Sequence, residues 1–253
     1  MKEMFKLDNK VALITGAATG LGAAIAIALA KQGADVAISD KPRQSLDNTA
    51  TKAKEYRHKV FTFDMDVRMM NQIYEGIEAV NKEFGKIDIL VNNAGINTPM
   101  RGLKVTEKNW DDHYNTNVKG GFFIAQAAAK LMIPRRWGRI IFISSQSGLI
   151  GIPGQPVYCS TKGAVIQLAR TLGVEWAKYG ITVNAVAPTF VQTNLTRKRL
   201  QNPEFLNFVL RKIPIGKLAT PEDVAAAVVY LASEEAKMVN CTVLSVDGGW
   251  TAW

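Results

Sequence analysis

Cysteine and histidine are nearly absent: the chain has only Cys159 and Cys241, and only His58 and His113. Two cysteines cannot build a disulfide framework, and none of the four residues recurs at metal-ligand spacing, so no metal site is expected. Long hydrophobic runs are missing too. Residues 11–30 are apolar, but Gly16, Gly20 and Gly22 interrupt them and a charged segment follows. A strand, a Gly-rich turn and a buried helix explain that stretch better than a membrane span. Residues 1–10 hold no apolar core of signal-peptide length, and a cytoplasmic protein with no membrane partner is expected. Acidic residues are the minority, 22 against 31 Lys and Arg, giving a formal charge of +9. The basic residues are scattered, however. Their densest groups, Arg135–Arg136 and Arg197–Lys198–Arg199, are not interleaved with stacking aromatics, so a solvated surface preferring small anions is expected rather than a nucleic-acid partner.

What is present is alternation. Short β-branched runs at Val11–Thr15, Asp35–Ser39, Val60–Phe63, Ile87–Asn92, Arg139–Ser144, Thr182–Ala187 and Thr242–Val246 read as seven strands. Helical patterns lie between them at Leu21–Gln32, Met69–Phe84, Asn109–Met132, Val157–Tyr179 and Pro221–Ser233. The last carries start signals, with Thr220 at the N-cap, Pro221 at the first helical position, and Glu222 and Asp223 in the first turn. Repeated strand–helix units predict an α/β fold: a doubly wound, Rossmann-like, seven-stranded parallel sheet with helices on both faces. No linker-like stretch divides the chain, so 1–253 reads as a single domain. Residues 189–218, polar, basic and holding Pro203 and Pro214, break the rhythm; a substrate-binding lid is expected there, the alternative being a peripheral helical hairpin with only a packing role.

The first strand runs into Thr15-Gly16-Ala17-Ala18-Thr19-Gly20-Leu21-Gly22, ahead of a helix. Glycines allow a tight turn and close backbone approach to a pyrophosphate, while the helix N-terminus supplies free N–H groups. The spacing is GxxxGxG rather than GxGxxG, and such a turn alone is weak. Asp40 at the end of the second strand strengthens it, because a carboxylate there can accept from both adenosine ribose hydroxyls and would repel a 2′-phosphate. NAD is therefore expected over NADP, although Lys41 and Arg43 lie nearby; a plain loop-start carboxylate is the competing reading of Asp40.

Tyr158 and Lys162, at i,i+4 spacing, share one helix face. An ammonium beside a phenol, together with an oxidised nicotinamide, would lower the phenol's pKa toward use as a base. Such a pair is common on surfaces. Here, however, Ser144-Ser145 closes the fifth strand thirteen residues before Tyr158, and Asn92-Asn93-Ala94-Gly95 closes the fourth with small residues that let a cofactor approach.

In the order and spacing of Thr15–Gly22, Asp40, Asp66-Val67, Asn92–Gly95, Asn117, Ser145, Tyr158, Lys162 and Val183-Asn184, the chain resembles a short-chain dehydrogenase/reductase of about 250 residues over essentially its whole length. The resemblance implies a hydride transfer with NAD(P), in which Tyr158 is the general acid/base and Ser145 hydrogen-bonds the reacting oxygen. Lys162 would bind the nicotinamide ribose and lower the Tyr158 pKa, and Asn117 would hold a water in a proton relay. Asp66 and Val67 would contact adenine, Asn93 would line the cleft, and Pro188, Val191 and Thr193 would lie on the carboxamide and phosphate side. It also implies a homotetramer. One departure is plain: Thr189 follows Pro188 where the family usually has Gly, and a shifted turn is expected there.

Pocket candidates flank the catalytic residues: Gln146, Ser147, Gln155, and parts of 97–101 and 190–197. Their polarity suits a hydroxylated small molecule, so a sugar, sugar acid or polyol is expected, consistent with the resemblance of Val246–Trp250 to members acting on such substrates. The alternatives are a 3-oxoacyl-(acyl carrier protein) reductase using NADPH, with Arg135 and Arg136 meeting an acidic carrier, and a nucleotide-sensing regulator on the same fold. Trp250 and Trp253 are expected against a partner subunit or folded back on their own.

Overall fold

Each expected strand forms within two residues of its expected ends: β1 (Val11–Thr15), β2 (Asp35–Asp40), β3 (Val60–Asp64), β4 (Ile89–Asn92), β5 (Gly138–Ile143), β6 (Ile181–Pro188) and β7 (Val243–Val246). They come from a computed structural model that describes residues 3–252, apart from the side chains of Asn194 and Leu195. Every pairing is parallel, in the order β3-β2-β1-β4-β5-β6-β7. β1, β4, β5 and β6 are buried throughout, which is why they read as continuous apolar runs. β4 starts two residues later than expected; just before it the Asp88 carboxylate accepts the Val11 N–H at 2.8 Å and pairs with Lys86 and Arg135 at 3.0 and 3.2 Å.

Strand alternation divides the core into two layers. Ala12, Ile14, Val36 and Ile38 face α1 (Gly20–Lys31), α2 (Asp47–Lys54) and α9 (Pro221–Ala232). Val11, Leu13 and Ala37 face α3 (Met70–Phe84), α5 (Gly121–Met132) and α6 (Pro156–Trp176). The α9 start is as expected, with Thr220 Oγ1 accepting from Asp223 N at 3.2 Å and Asp223 Oδ2 accepting from Thr220 N at 2.8 Å.

Three features depart from the sequence reading. α2 has a polar sequence that masked it; it buries only Thr49, Ala50 and Ala53. The helix expected over 109–132 is broken into α4 (Glu107–Tyr114), a π-helical segment Asn115–Gly120, and α5. Within 189–218 lie α7 (Asn194–Leu200) and α8 (Pro203–Lys212). Because the chain runs from β1 outward to β3 and then returns to the other side of β1 for β4, a crevice opens at the carboxyl ends of β1 and β4.

Candidate active site

The crevice is a cleft of ≈ 470 Å³, and the Gly-rich turn forms its floor. Gly16 holds φ at +65°, and a Cβ there would lie 2.9 Å from the Ala94 Cα; a Cβ on Gly22 would lie 2.2 Å from the Gly16 carbonyl. Only glycine lets this turn pack against the end of β4. Asn93 locks the arrangement, donating through Nδ2 to the Thr15 and Gly16 carbonyls, both at 2.9 Å, while Thr15 Oγ1 accepts from Asn93 N and Ala94 N. Thr19, at the N-cap of α1, makes no capping hydrogen bond, and the first turn has no acidic residue. Its free N–H groups and positive dipole end therefore face the cleft through Gly20 and Leu21, an arrangement suited to phosphate. Asp40 stands on the wall, its carboxylate accepting from Ala18 N at 3.0 Å and Lys41 N at 2.8 Å. A dinucleotide fits this donor set. Lys41 lines the cleft as well, whereas Arg43 lines a separate shallow hollow. Asp66 and Val67 line the opposite side; Arg68 grips Asp66 through Nε and Nη2, and that hydrogen bonding holds the carboxyl below its ordinary range.

At the inner end the cleft meets Tyr158 and Lys162, one turn apart near the start of α6. Two hydrogen bonds staple this turn to β5: Ser144 Oγ donates to the Lys162 carbonyl at 2.9 Å, and Lys162 Nζ donates to the Ile143 carbonyl at 2.7 Å. Gly148 lets the turn after β5 lie against α6, since a Cβ there would be 2.7 Å from the Lys162 backbone. Ser145 caps that turn by accepting from Ser147 N, and it lines the same small pocket as Tyr158, where its hydroxyl acts to lower the phenol's pKa. Asn117 comes from the π-helical segment, whose extra residue per turn rotates its amide inward. Its Oδ1 accepts from Ile96 N at 2.8 Å, and Nδ2 donates to the Ile96 carbonyl and Thr161 Oγ1.

Desolvation pushes the Tyr158 phenol up to about 12, outweighing the opposing hydrogen bond from Ser145. Lys162 does not offset this: its ammonium is directed at the Ile143 carbonyl, lies 5.7 Å from the Tyr158 ring centroid, and is itself brought down to about 8 by burial. In the protein alone Tyr158 is a phenol at neutral pH.

A second pocket of ≈ 90 Å³ adjoins the cleft and shares Leu21, Ser144, Tyr158 and Thr193 with it. Gln146, Ser147 and Gln155 line it as expected of pocket residues; Pro188 and Val191, assigned to the cofactor side, line this pocket rather than the cleft, and Thr189 joins them. Thr189 keeps a negative φ and donates its N–H to the Val246 carbonyl at 3.1 Å, so the departure from glycine brings no left-handed strain. Asn97 reaches across to donate to Gln155 Oε1 at 2.6 Å. The loop carrying Asn97 is held by His113, whose Nδ1 donates to the Asn109 carbonyl while Nε2 accepts from Thr98 N; this histidine supports the loop.

From residues 189–218, Thr189, Phe190, Val191, Thr193 and Thr196 line this pocket. Phe190 lines it and stacks on Trp250, centroids 5.7 Å apart, with Phe205 and Phe208 of α8 completing the cluster. Arg199 lies 4.4 Å over Phe205, and burial lowers its pKa. Trp250 is thus folded back on its own subunit; Trp253 lies outside the described residues.

The comparisons with known proteins agree with this geometry. A family model described as enoyl-(acyl carrier protein) reductase matches residues 16–251. Over 249 residues the chain is 35% identical to the gluconate 5-dehydrogenase of Gluconobacter oxydans, covering 98% of this chain and 97% of that protein. It is 38% identical over 244 residues to the 3-oxoacyl-(acyl-carrier-protein) reductase of Thermotoga maritima, covering 96% and 98%. The crystal structure of a gluconate 5-dehydrogenase from Burkholderia cenocepacia, in complex with NADP and tartrate, matches with a TM-score of 0.95 at 33% identity, covering 99% of this chain and 98% of that one.

Proposed function

The chain belongs to the short-chain dehydrogenase/reductase family of NAD(P)-dependent oxidoreductases, and on that footing we propose that it moves a hydride between NAD(H) and a carbinol or carbonyl carbon of a sugar, sugar acid or polyol. The observation carrying this reading is the position of Tyr158, which lines the dinucleotide-sized cleft and the side pocket at once, with Ser145 lining the same side pocket. Gly16, Thr19, Gly20, Leu21 and Gly22 would hold the pyrophosphate side of the cofactor, Asp40 the adenosine ribose, and Asp66 and Val67 the adenine. Asn93, Ala94 and Gly95 would line the middle of the cleft, with Pro188, Val191 and Thr193 toward the nicotinamide. Asp40 supports NAD over NADP, because a 2′-phosphate would sit against a carboxylate already fixed by two backbone N–H groups.

Bound NAD(P)⁺ supplies the hydride acceptor. The chain's own residues do the rest. In oxidation Tyr158, as phenolate, takes the hydroxyl proton while the C–H bond to the carbinol carbon breaks; in reduction Tyr158 gives the proton back to the carbonyl oxygen. Ser145 holds that oxygen, Lys162 supplies positive charge below its pKa of about 8, and Asn117 anchors the loop at Ile96 and the Thr161 turn. Residues 189–218 act as the lid over the substrate.

Carbohydrate is favoured over an acyl thioester because the side pocket is small and holds buried polar atoms of Asn97, Gln146 and Thr189 that lack partners. An apolar acyl chain there would leave Gln146 and Thr189 without partners, at about 1–3 kcal/mol for each group. Replacing Tyr158→Phe is expected to reduce turnover by at least about 1,000-fold while NADH binding, followed by fluorescence, is retained. Turnover within tenfold of the parent would refute the assignment.

The protein is also proposed to self-associate. A groove of ≈ 750 Å³ between α5 and α6, lined by Phe122, Ala129, Ile133, Leu168, Leu172 and Trp176, presents apolar surface that a second copy would cover. Leu168→Arg is expected to lower the mass seen by light scattering; an unchanged mass would refute this interface. The unpaired thiols of Cys159 and Cys241 accord with the reducing cytoplasm.

A further inference from the structure

Seven buried side-chain polar atoms lack a hydrogen-bond partner among the described residues, and four of them belong to residues of the ≈ 90 Å³ pocket beside Tyr158. They are Asn97 Oδ1, both amide atoms of Gln146, and Thr189 Oγ1. Buried polar groups are ordinarily satisfied, so a concentration of orphans in one small pocket marks a place where a ligand supplies the missing partners. The backbone carrying Gln146 and Thr189, and the side chain of Asn97, are held in place. Gln146, 1% exposed, sits in the turn after β5, where its carbonyl accepts from Leu149 N and Ile150 N. Thr189 extends the β6–β7 ladder through its bond to Val246. Asn97 is pinned through its Nδ2 to Gln155, which leaves Oδ1 as a fixed acceptor.

The chemistry of the orphans is specific. A hydroxyl has one O–H to donate and lone pairs to accept with, and the Gln146 amide offers an acceptor and a donor side by side. Thr189 Oγ1 can complete either role. A methyl or methylene at the same position would leave every one of these atoms buried and unpaired. Ser145 and Tyr158 already take the reacting oxygen, so the hydroxyl read here is a different one. At ≈ 90 Å³ the pocket has room for a short fragment only, which places that hydroxyl close to the reacting carbon.

We propose that Gln146 and Thr189 are specificity-determining residues that bind a second substrate hydroxyl, so that the enzyme selects a diol fragment over a simple secondary alcohol. The proposal rests on the alcohol-oxidoreductase reading above and goes beyond it by assigning discrimination to two side chains. Thr189 carries a particular share: the glycine usual at this position in the family has no hydroxyl to offer.

The test uses the full-length protein with NAD⁺ and with NADP⁺ on a series of increasing hydroxylation: 2-butanol, 2,3-butanediol, threitol and gluconate. The kcat/KM of the parent is expected to rise at least about 100-fold from 2-butanol to the best polyhydroxylated member. Thr189→Val, which keeps the shape, and Gln146→Met, which keeps the length, are each expected to lower kcat/KM on that member by about 10- to 100-fold. Both should raise it on 2-butanol, compressing the ratio, while NADH binding reports that the variants are folded. A parent ratio near one, or a ratio unchanged in both variants, overturns the proposal and leaves the oxidoreductase reading standing. Failure of the parent to oxidise any member with either cofactor overturns both.

Discussion

Replacing Lys162 with methionine should inactivate the enzyme and yet make the protein more stable. Lys162 is 5% exposed, and burial brings its pKa from 10.5 to about 8. At about 1.4 kcal/mol per pH unit, keeping this amine charged inside the fold costs about 3 kcal/mol. Methionine removes that cost but also the hydrogen bond to the Ile143 carbonyl, worth about 1 kcal/mol, so a net gain of about 2 kcal/mol is expected at pH 7. For a chain of this size that is a rise of about 4–8 °C in melting temperature. The sign follows from linkage: the folded-state pKa lies below the unfolded one, so the fold binds the proton less well. The penalty is therefore complete below pH 8, shrinks as the pH rises from 8 to 10.5, and is gone above that. Urea unfolding of both proteins between pH 6 and 10.5, at matched assembly state, should show the variant's advantage flat to pH 8 and then declining. A variant less stable than the parent, or an advantage that does not change with pH, would refute the reasoning. The stability given up at Lys162 is part of what the active site costs the fold.

Two further outcomes follow from the same geometry. Because desolvation holds the Tyr158 phenol at about 12, alcohol oxidation, which needs phenolate, should accelerate as pH rises from 6 toward 8, where Lys162 begins to lose its charge, while carbonyl reduction, which needs phenol, should not; initial rates in both directions test this. Trp250→Ala should remove the aromatic cluster behind Phe190, costing about 3 kcal/mol of stability and raising substrate KM more than cofactor KM, as steady-state kinetics would show.

The sheet was legible because its central strands are buried on both faces and so appear as short apolar runs, and because the glycines of residues 16–22 permit only a tight turn there. The catalytic pair was legible through i,i+4 spacing, and Ser145 through its place at the end of β5. The π-helical segment that turns Asn117 inward was not, because the apolar period of 109–132 continues across it and one added residue per turn leaves no compositional mark. α2 was hidden by a polar sequence with only three buried side chains. Thr189 was noticed as an odd residue after Pro188, but its role in the pocket depends on the β6–β7 pairing that turns its hydroxyl inward, a long-range contact no local pattern reveals. The direction of the Lys162 ammonium was not legible for a similar reason: spacing places Lys162 on the right face, while the Ile143 carbonyl decides where its charge points.

Absorbance at 340 nm, followed with NAD⁺ and NADP⁺ in turn against gluconate, aldoses and polyols, and with NADH and NADPH against a 3-oxoacyl thioester, decides the proposed chemistry. The expected result is reduction of NAD⁺, in preference to NADP⁺, by a sugar acid or polyol, lost in Tyr158→Phe. Oxidation of NADPH by the thioester, with no turnover of hydroxylated substrates, would contradict it.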